Sequence, residues 1–329
     1  TLFRSQSICD MGIKNIKTVS PDQAVRAVRS GDHVHISATS NTPACLVAAL
    51  CRRGRSGELR GVHIHHLHTE GPAPYADPSF EGVFQLESFF VGPNVRLSTQ
   101  QGYADYIPVF LGATQRLYRE GYLPCDVALI QVSPPDEQGR VSLGTSVDAS
   151  VAAVEKAGVV IAVINPHVPH TYGDGLIPTD RIHVFVEDDT PLETVHFAPP
   201  GDVEAAIGEH CASLIEDGAT LQMGIGAIPN AVLAQLSGHK NLGIHTEMFA
   251  DGVIDLVEKG VINGANKAID RGRMVATFLL GSKRLYDYTH RNERVLMKDV
   301  GYTNDPFIIA KNPKATAINS ALQVDLTDH

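Results

Sequence analysis

Short apolar runs and amphipathic stretches succeed one another through most of the chain. Residues 21–30 (PDQAVRAVRS) have a helical pattern with Ser20 as cap, and 32–37 (DHVHIS) read as a strand. Residues 43–52 read as a helix and 61–67 as a strand again. Further on, 125–132 (CDVALIQV) and 158–164 (GVVIAVI) are apolar runs of strand length. Residues 188–202 (DDTPLETVHFAPPGD) are polar and proline-rich and interrupt the alternation, as a linker does. Beyond them, 203–217 predict a helix, amphipathic through Ile207, Cys211, Leu214 and Ile215. Strands follow at 219–223 and 242–246, with helices at 229–236 and 252–259; Pro229 falls in a first turn, where its missing N–H costs nothing. Buried strands between helices predict an α/β fold of two open, mainly parallel-sheet domains, residues 1–195 and 196–329. No internal repeat of fixed period breaks the pattern.

Two strand ends carry candidate chemistry. Gly224-Ile225-Gly226-Ala227-Ile228-Pro229 joins a predicted strand to a predicted helix. Glycines there let backbone approach a ligand, and the helix offers unpaired N–H groups to a phosphate or an oxyanion. A tight strand–helix turn explains the same glycines without a ligand. Pro229 stands where a dinucleotide fingerprint has its third glycine, and no Gly-Lys-Ser/Thr of a P-loop follows. At the end of the next strand lies His245-Thr246-Glu247-Met248. Carboxyl ends of strands in open α/β sheets face the ligand crevice. Glu247 there suits a ribose contact, a nucleophile, or a carboxylate that merely stabilises a helix N-terminus.

Two other stretches carry weaker signals. Residues 131–139 (QVSPPDEQG) form a rigid loop at a strand end, which either lines a pocket or is a structural turn. Strand alternation puts His63 and His65 on one face and His66 and His68 on the other. That spacing does not gather three metal ligands, so buried or hydrogen-bonded histidine is the expected role and no metal ligand is assigned. The chain has neither G-x-S-x-G nor H-E-x-x-H.

Composition narrows the classes. With 43% hydrophobic and 19% charged residues the chain is ordinary globular protein. A net charge of -10 and the lack of a basic tract argue against nucleic-acid binding, so a phosphate-bearing ligand needs a locally built site. Five cysteines (Cys9, Cys45, Cys51, Cys125, Cys211) without C-x-x-C imply free thiols in a reducing compartment, cytoplasmic or mitochondrial. No apolar run reaches membrane-span length, and residues 1–12 lack a secretory h-region.

Several stretches together resemble the acetyl-CoA hydrolase/transferase family, which includes acetate, butyrate and 4-hydroxybutyrate CoA-transferases. They are GPAPY (71–75), FFVGPNVR (89–96), GYADYIPVFL (102–111), DVALIQVSPPDEQGRVSLGTSVDAS (126–150), DGATLQMGIGAIPNAVL (217–233), LGIHTEMFADGVIDLVEKGVING (242–264), YTNDPFIIA (302–310) and INSALQVDLT (318–327). The resemblance covers nearly the whole chain. It implies a CoA-transferase-like fold, with Glu247 as the catalytic glutamate that becomes a glutamyl-CoA thioester. Gln222, Met223, Gly224, Ile225 and Gly226 match the coenzyme A loop, and Leu322 falls where a further CoA contact is expected.

By the resemblance, acyl-CoA and a short-chain carboxylate are the substrates. Coenzyme A enters as thioester, no cofactor is bound permanently, and the chain is expected to form a homo-oligomer. Family members continue past the VDLT stretch into a glycine-rich segment, so the second domain is expected to be incomplete here. Acyl-CoA hydrolysis at the same site is the near alternative. A nicotinamide-dependent dehydrogenase with Glu247 on a ribose, and a non-catalytic CoA-binding module, are the readings from other classes.

Overall fold

The computed structural model describes residues 16–321 and 323–325. The chain divides into two compact units, one running up to Glu193 with Asp299–Gly301 added, the other comprising Thr194–Lys298 and the chain from Tyr302 onward.

The first unit is built on seven strands: β1 (His33–Ile36), β2 (Val62–His66), β3 (Phe84–Ser88), β4 (Ala104–Tyr106), β5 (Val127–Val132), β6 (Val159–Ile164) and β7 (Val184–Glu187). They form one sheet in the order β7-β6-β5-β1-β2-β3-β4, every pair parallel. All six residues of β5 are buried, as expected of an apolar strand covered on both faces. β1, β2 and β3 instead alternate. Val34, Ile36, Val62, Ile64, Phe84 and Leu86 face one way, into a core with Leu46 and Leu50 of α1 (Ala44–Arg55). The intervening positions are histidine, glutamine and glutamate, so the opposite face of this half of the sheet is polar. It is covered in part by α3 (Thr114–Arg119) and α4 (Ser150–Lys156), while α2 (Pro93–Gln100) leads into β4. His35 shows the coverage: its Nδ1 lies 3.0 Å from the Tyr118 hydroxyl and its Nε2 3.2 Å from Ser150 Oγ.

The helix predicted over 21–30 is shorter. Only Pro21–Ala24 is α-helical, with Ser20 as a capping-box residue, followed by a 3-10 turn over Val25–Ala27. The guanidinium of Arg53 takes the carbonyls of Val25 and Val28, and Val28 turns extended. A tertiary cation thus captures the acceptors that a continuing helix would have used. Within 131–139 a turn forms around Asp136, which accepts from the amides of Gln138 and Arg140 and binds the Arg140 guanidinium at 2.8–3.0 Å.

The second unit holds α5 (Asp202–Ser213), β8 (Thr220–Met223), α6 (Ala227–Gln235), β9 (Gly243–Ile244), β10 (Met248–Phe249), α7 (Gly252–Glu258), β11 (Met274–Ala276), β12 (Phe278–Leu279), β13 (Val295–Met297) and β14 (Ala315–Ile318). Its strand pairs are also parallel. β8 lies between β9 and β14, β10 pairs with β12, and β11 pairs with β13. An isolated bridge between His245, just past β9, and Val275 of β11 links the β9-β8-β14 group to the β11-β13 pair.

The buried face of α5 differs from the predicted stripe. Ile207 and Leu214 are exposed, and the buried positions are Gly208, Ala212 and, just past the helix, Ile215. A Cβ on Gly208 would come within 2.7 Å of the Ala231 backbone. Small residues therefore let α5 lie directly on α6, and the larger apolar side chains are left outside.

Among the described residues no helix is long and apolar enough to cross a membrane. The described cysteines form no disulfide. Burial pushes the thiols of Cys45 and Cys125 up to about 12 and that of Cys51 up to about 11, so none of these three is a ready nucleophile.

Candidate active site

In the second unit, parallel pairing sets two strand ends side by side. Thr220 pairs with Gly243 and Leu221 with Ile244, and the His245 amide donates to the Leu221 carbonyl at 3.1 Å. The turn after β8 and the residues after β9 therefore share one edge. Thr246 locks them together. Its hydroxyl accepts from the Met223 amide at 3.1 Å and lies 2.9 Å from the Met248 carbonyl and 3.2 Å from that of Met223. Glu247 is the next residue, half-buried, with its own carbonyl accepting from the amides of Thr277 and Phe278.

The Gly224–Gly226 turn has two different reasons for its glycines. Gly224 donates its amide to the Ile318 carbonyl at 2.8 Å, and a Cβ there would lie 3.1 Å from Asn319 Oδ1. Gly226 has open space where its Cβ would be but sits at φ 107°, ψ -170°, a conformation reserved for glycine. It caps α6, whose first two amides, those of Ala227 and Ile228, meet no acceptor within the helix; Pro229 brings none, and Asn230 begins the ladder by donating to Gly226. Gln222 pairs with Asn319 through both ends of the two amides, at 3.0 and 3.2 Å. Met223 is buried and Ile225 is exposed. The structure thus brings Gln222, Met223, Gly224, Ile225, Gly226 and Glu247 to one edge. Leu322 lies outside the described residues.

The carboxylate has a partner that sequence reasoning did not single out. Asn304 Nδ2 donates to Glu247 Oε2 at 3.0 Å. Three contacts bring Asn304 there. The Tyr302 hydroxyl donates to Asp270 at 2.7 Å, Lys298 Nζ stands 4.8 Å above the Tyr302 ring, and His245 Nε2–H donates to the Thr303 carbonyl at 3.0 Å. Burial holds His245 below the usual imidazole range, which favours the neutral donor. The only sequence trace of Asn304 was its membership of the YTNDPFIIA stretch.

A buried lysine braces the strand that carries Glu247. Lys267 Nζ donates to the Ile244 carbonyl at 3.0 Å and to the Arg273 carbonyl at 2.8 Å. A Cβ on Gly243 would lie 2.7 Å from Lys267 Cγ, so this glycine makes room for the lysine stem. Burial pushes Lys267 down to about 8, with Asp270 acting the other way.

The histidines at 63–68 go to separate tasks. His66 is buried edge-on to Tyr75, with its pKa pushed down to about 3 by burial. His68 lies 2.7 Å from Glu70 and stacks on Phe90. His63 and His65 both meet Glu87, at 2.8 and 2.7 Å.

Comparison with known proteins gives the family. The model of the acetyl-CoA hydrolase/transferase N-terminal domain matches residues 15–196, and that of the corresponding C-terminal domain matches residues 281–329. The chain is 42% identical over 307 residues to the succinyl-CoA:acetate/propanoyl-CoA:succinate CoA transferase of Fasciola hepatica, covering 93% of this chain and 64% of that protein. It is 44% identical over 312 residues to the 4-hydroxybutyrate coenzyme A transferase of Clostridium kluyveri, covering 94% and 72%. The crystal structure of RipA from Yersinia pestis superposes with a TM-score of 0.91 at 31% identity, over 95% of this chain and 74% of RipA. The chain thus spans about two thirds to three quarters of the length of these relatives, and it belongs to the acetyl-CoA hydrolase/transferase family.

Proposed function

We propose that the chain belongs to a coenzyme A transferase that moves CoA between a short-chain acyl-CoA and a carboxylate acceptor, with Glu247 as nucleophile. The observation that carries this reading is the placement of the Glu247 carboxylate. It is oriented by Asn304 and stands at a strand end beside a glycine turn that opens a helix.

A carboxylate needs no base to act as a nucleophile near neutral pH. Glu247 attacks the thioester carbonyl, the C–S bond breaks, and an acyl–glutamyl anhydride and CoA thiolate result. The thiolate attacks the glutamyl carbonyl, which gives glutamyl-CoA and releases the first acid as its carboxylate. The acceptor carboxylate then attacks glutamyl-CoA, and the same two steps in reverse produce the new acyl-CoA. No bond energy is lost to water, so neither ATP nor a metal is called for. Each addition passes through an oxyanion, and a backbone N–H aimed at it is typically worth about 3 kcal/mol. The amides opening α6 are of the kind that serves that role.

Asn304 holds the carboxylate in one rotamer, and its hydrogen bond leaves the other oxygen to attack. A nicotinamide dehydrogenase would place Glu247 on a ribose hydroxyl. Membership of the family weighs for the thioester.

The test is an assay with butyryl-CoA, with and without acetate, on the wild type and Glu247→Ala. Acetyl-CoA that appears only with acetate, and only with the wild type, is the expected result. Free CoA formed at the same rate with or without acetate marks a hydrolase using the same site. Full-rate turnover by folded Glu247→Ala overturns the assignment.

A further inference from the structure

The polar face of β1–β3 in the first unit gathers groups that the transfer chemistry does not use. Register sets them. His33 pairs with His63 across β1 and β2, and His65 pairs with Glu87 across β2 and β3. His33 Nδ1 lies 3.1 Å from His65 Nε2, and that same nitrogen lies 2.7 Å from Glu87 Oε2. The other carboxylate oxygen, Oε1, lies 2.8 Å from His63 Nδ1, and the His63 ring stacks on His33 at 4.4 Å.

One proton cannot serve all three converging atoms well. An imidazole nitrogen is a donor or an acceptor, never both. Facing an ionised carboxylate, His65 Nε2 must carry the hydrogen. His33 Nδ1 is then left either to share that hydrogen at 3.1 Å or to press a second N–H against it. Among the described residues nothing bonds Nδ1 of His65, so its tautomer is set by whatever occupies Nε2.

A cation removes the conflict, because it takes a lone pair from each atom. Bonds of about 2.0–2.2 Å in a tetrahedron put ligand atoms roughly 3.3 Å apart. The separations from His65 Nε2, 2.7 and 3.1 Å, are already close to that. Two imidazole nitrogens and one carboxylate are a zinc donor set.

His65 is fully buried, whereas His33 and Glu87 are partly exposed, so an ion has a route in and a side open to water.

We propose that His33, His65 and Glu87 bind a zinc-class divalent cation, with His63 orienting Glu87 from its far oxygen. The ion would pin β1, β2 and β3 together on the polar face, a structural role separate from acyl transfer.

The test uses the full chain freed of metal by chelation and then titrated with Zn²⁺ against a chromogenic competitor. Wild type should take up one equivalent. His33→Ala and Glu87→Gln should each weaken it by at least about tenfold, with folding confirmed by circular dichroism. His210→Ala, an exposed histidine elsewhere, should bind as wild type does. Co²⁺ bound to the wild type should show the intense visible bands of a four-coordinate site. This readout stands even where a variant fails to fold. Absence of stoichiometric binding, binding unchanged in folded His33→Ala and Glu87→Gln, or a cobalt spectrum identical to the free aquo ion would each overturn the proposal.

Discussion

Asn304 Nδ2 donates a 3.0 Å hydrogen bond to Oε2 of Glu247, across 57 residues of sequence. A hydrogen bond to a charged group is worth about 1.5–3 kcal/mol. Asn304→Ala should therefore lower kcat for acyl transfer by roughly one to two orders of magnitude, with a smaller change in KM. Asn304→Asp should be worse, since it sets like charge against the nucleophile. Steady-state kinetics on variants with wild-type thermal unfolding would check both. An unchanged kcat in Asn304→Ala would remove the residue from the mechanism.

Gly226 is held at φ 107° by the turn that opens α6. Gly226→Ala forces a side chain into that conformation, at a cost of about 1–3 kcal/mol. The turn relaxes instead and displaces the amides of Ala227 and Ile228. The expected outcome is weaker binding of acyl-CoA, read as a raised KM, with a modest loss of stability. Equal KM values would show that the turn does not contact the coenzyme.

Thr246 ties the two strand ends together through one hydroxyl. Thr246→Val keeps the shape and leaves the Met223 amide buried without an acceptor, a loss of about 1–3 kcal/mol. Urea unfolding should show that loss, and transfer activity should fall because Glu247 is the neighbouring residue.

Lys267 gives the protein a pH dependence of definite sign. Its folded value is about 8, below the 10.5 of an unfolded lysine. Below pH 8 both states hold the proton, and the folded state carries the full cost of burying the ammonium. From pH 8 to 10.5 the unfolded chain binds the proton that the folded one has released, so this group's contribution to stability rises with pH. The rise is about 3 kcal/mol at most. Lys267→Met lacks it. The difference in unfolding free energy between wild type and Lys267→Met should shift in favour of the wild type across this window. A constant difference would contradict it.

Much of the frame was legible because its signals are local. Apolar runs such as 125–132 and 158–164 have the length and β-branched content of buried strands, and a glycine turn between strand and helix marks its own position. Glu247 stood out as a candidate from its place at a strand end, and the family resemblance supplied its expected role as nucleophile. Asn304 carried no local signal, because its role depends on a turn pinned by Asp270 and His245 from elsewhere in the second unit. The proposed set of His33, His65 and Glu87 has no signal in the spacing of residues 63–68, because register brings its members together across three strands. Of the stripe predicted on α5, Ile215 is buried as expected, while Ile207 and Leu214 are exposed: hydrophobicity ranks them above glycine and alanine, whereas close helix contact selects the smaller residues.

Glu247 as the covalent nucleophile is tested most directly by intact mass spectrometry of the 329-residue chain. The protein would be incubated with butyryl-CoA, then reduced with borohydride and mapped by peptide. A CoA adduct before reduction, and a glutamate reduced to the alcohol at position 247 afterwards, is the predicted result. Acyl transfer with Glu247 unmodified, or an adduct at any other residue, would contradict the account.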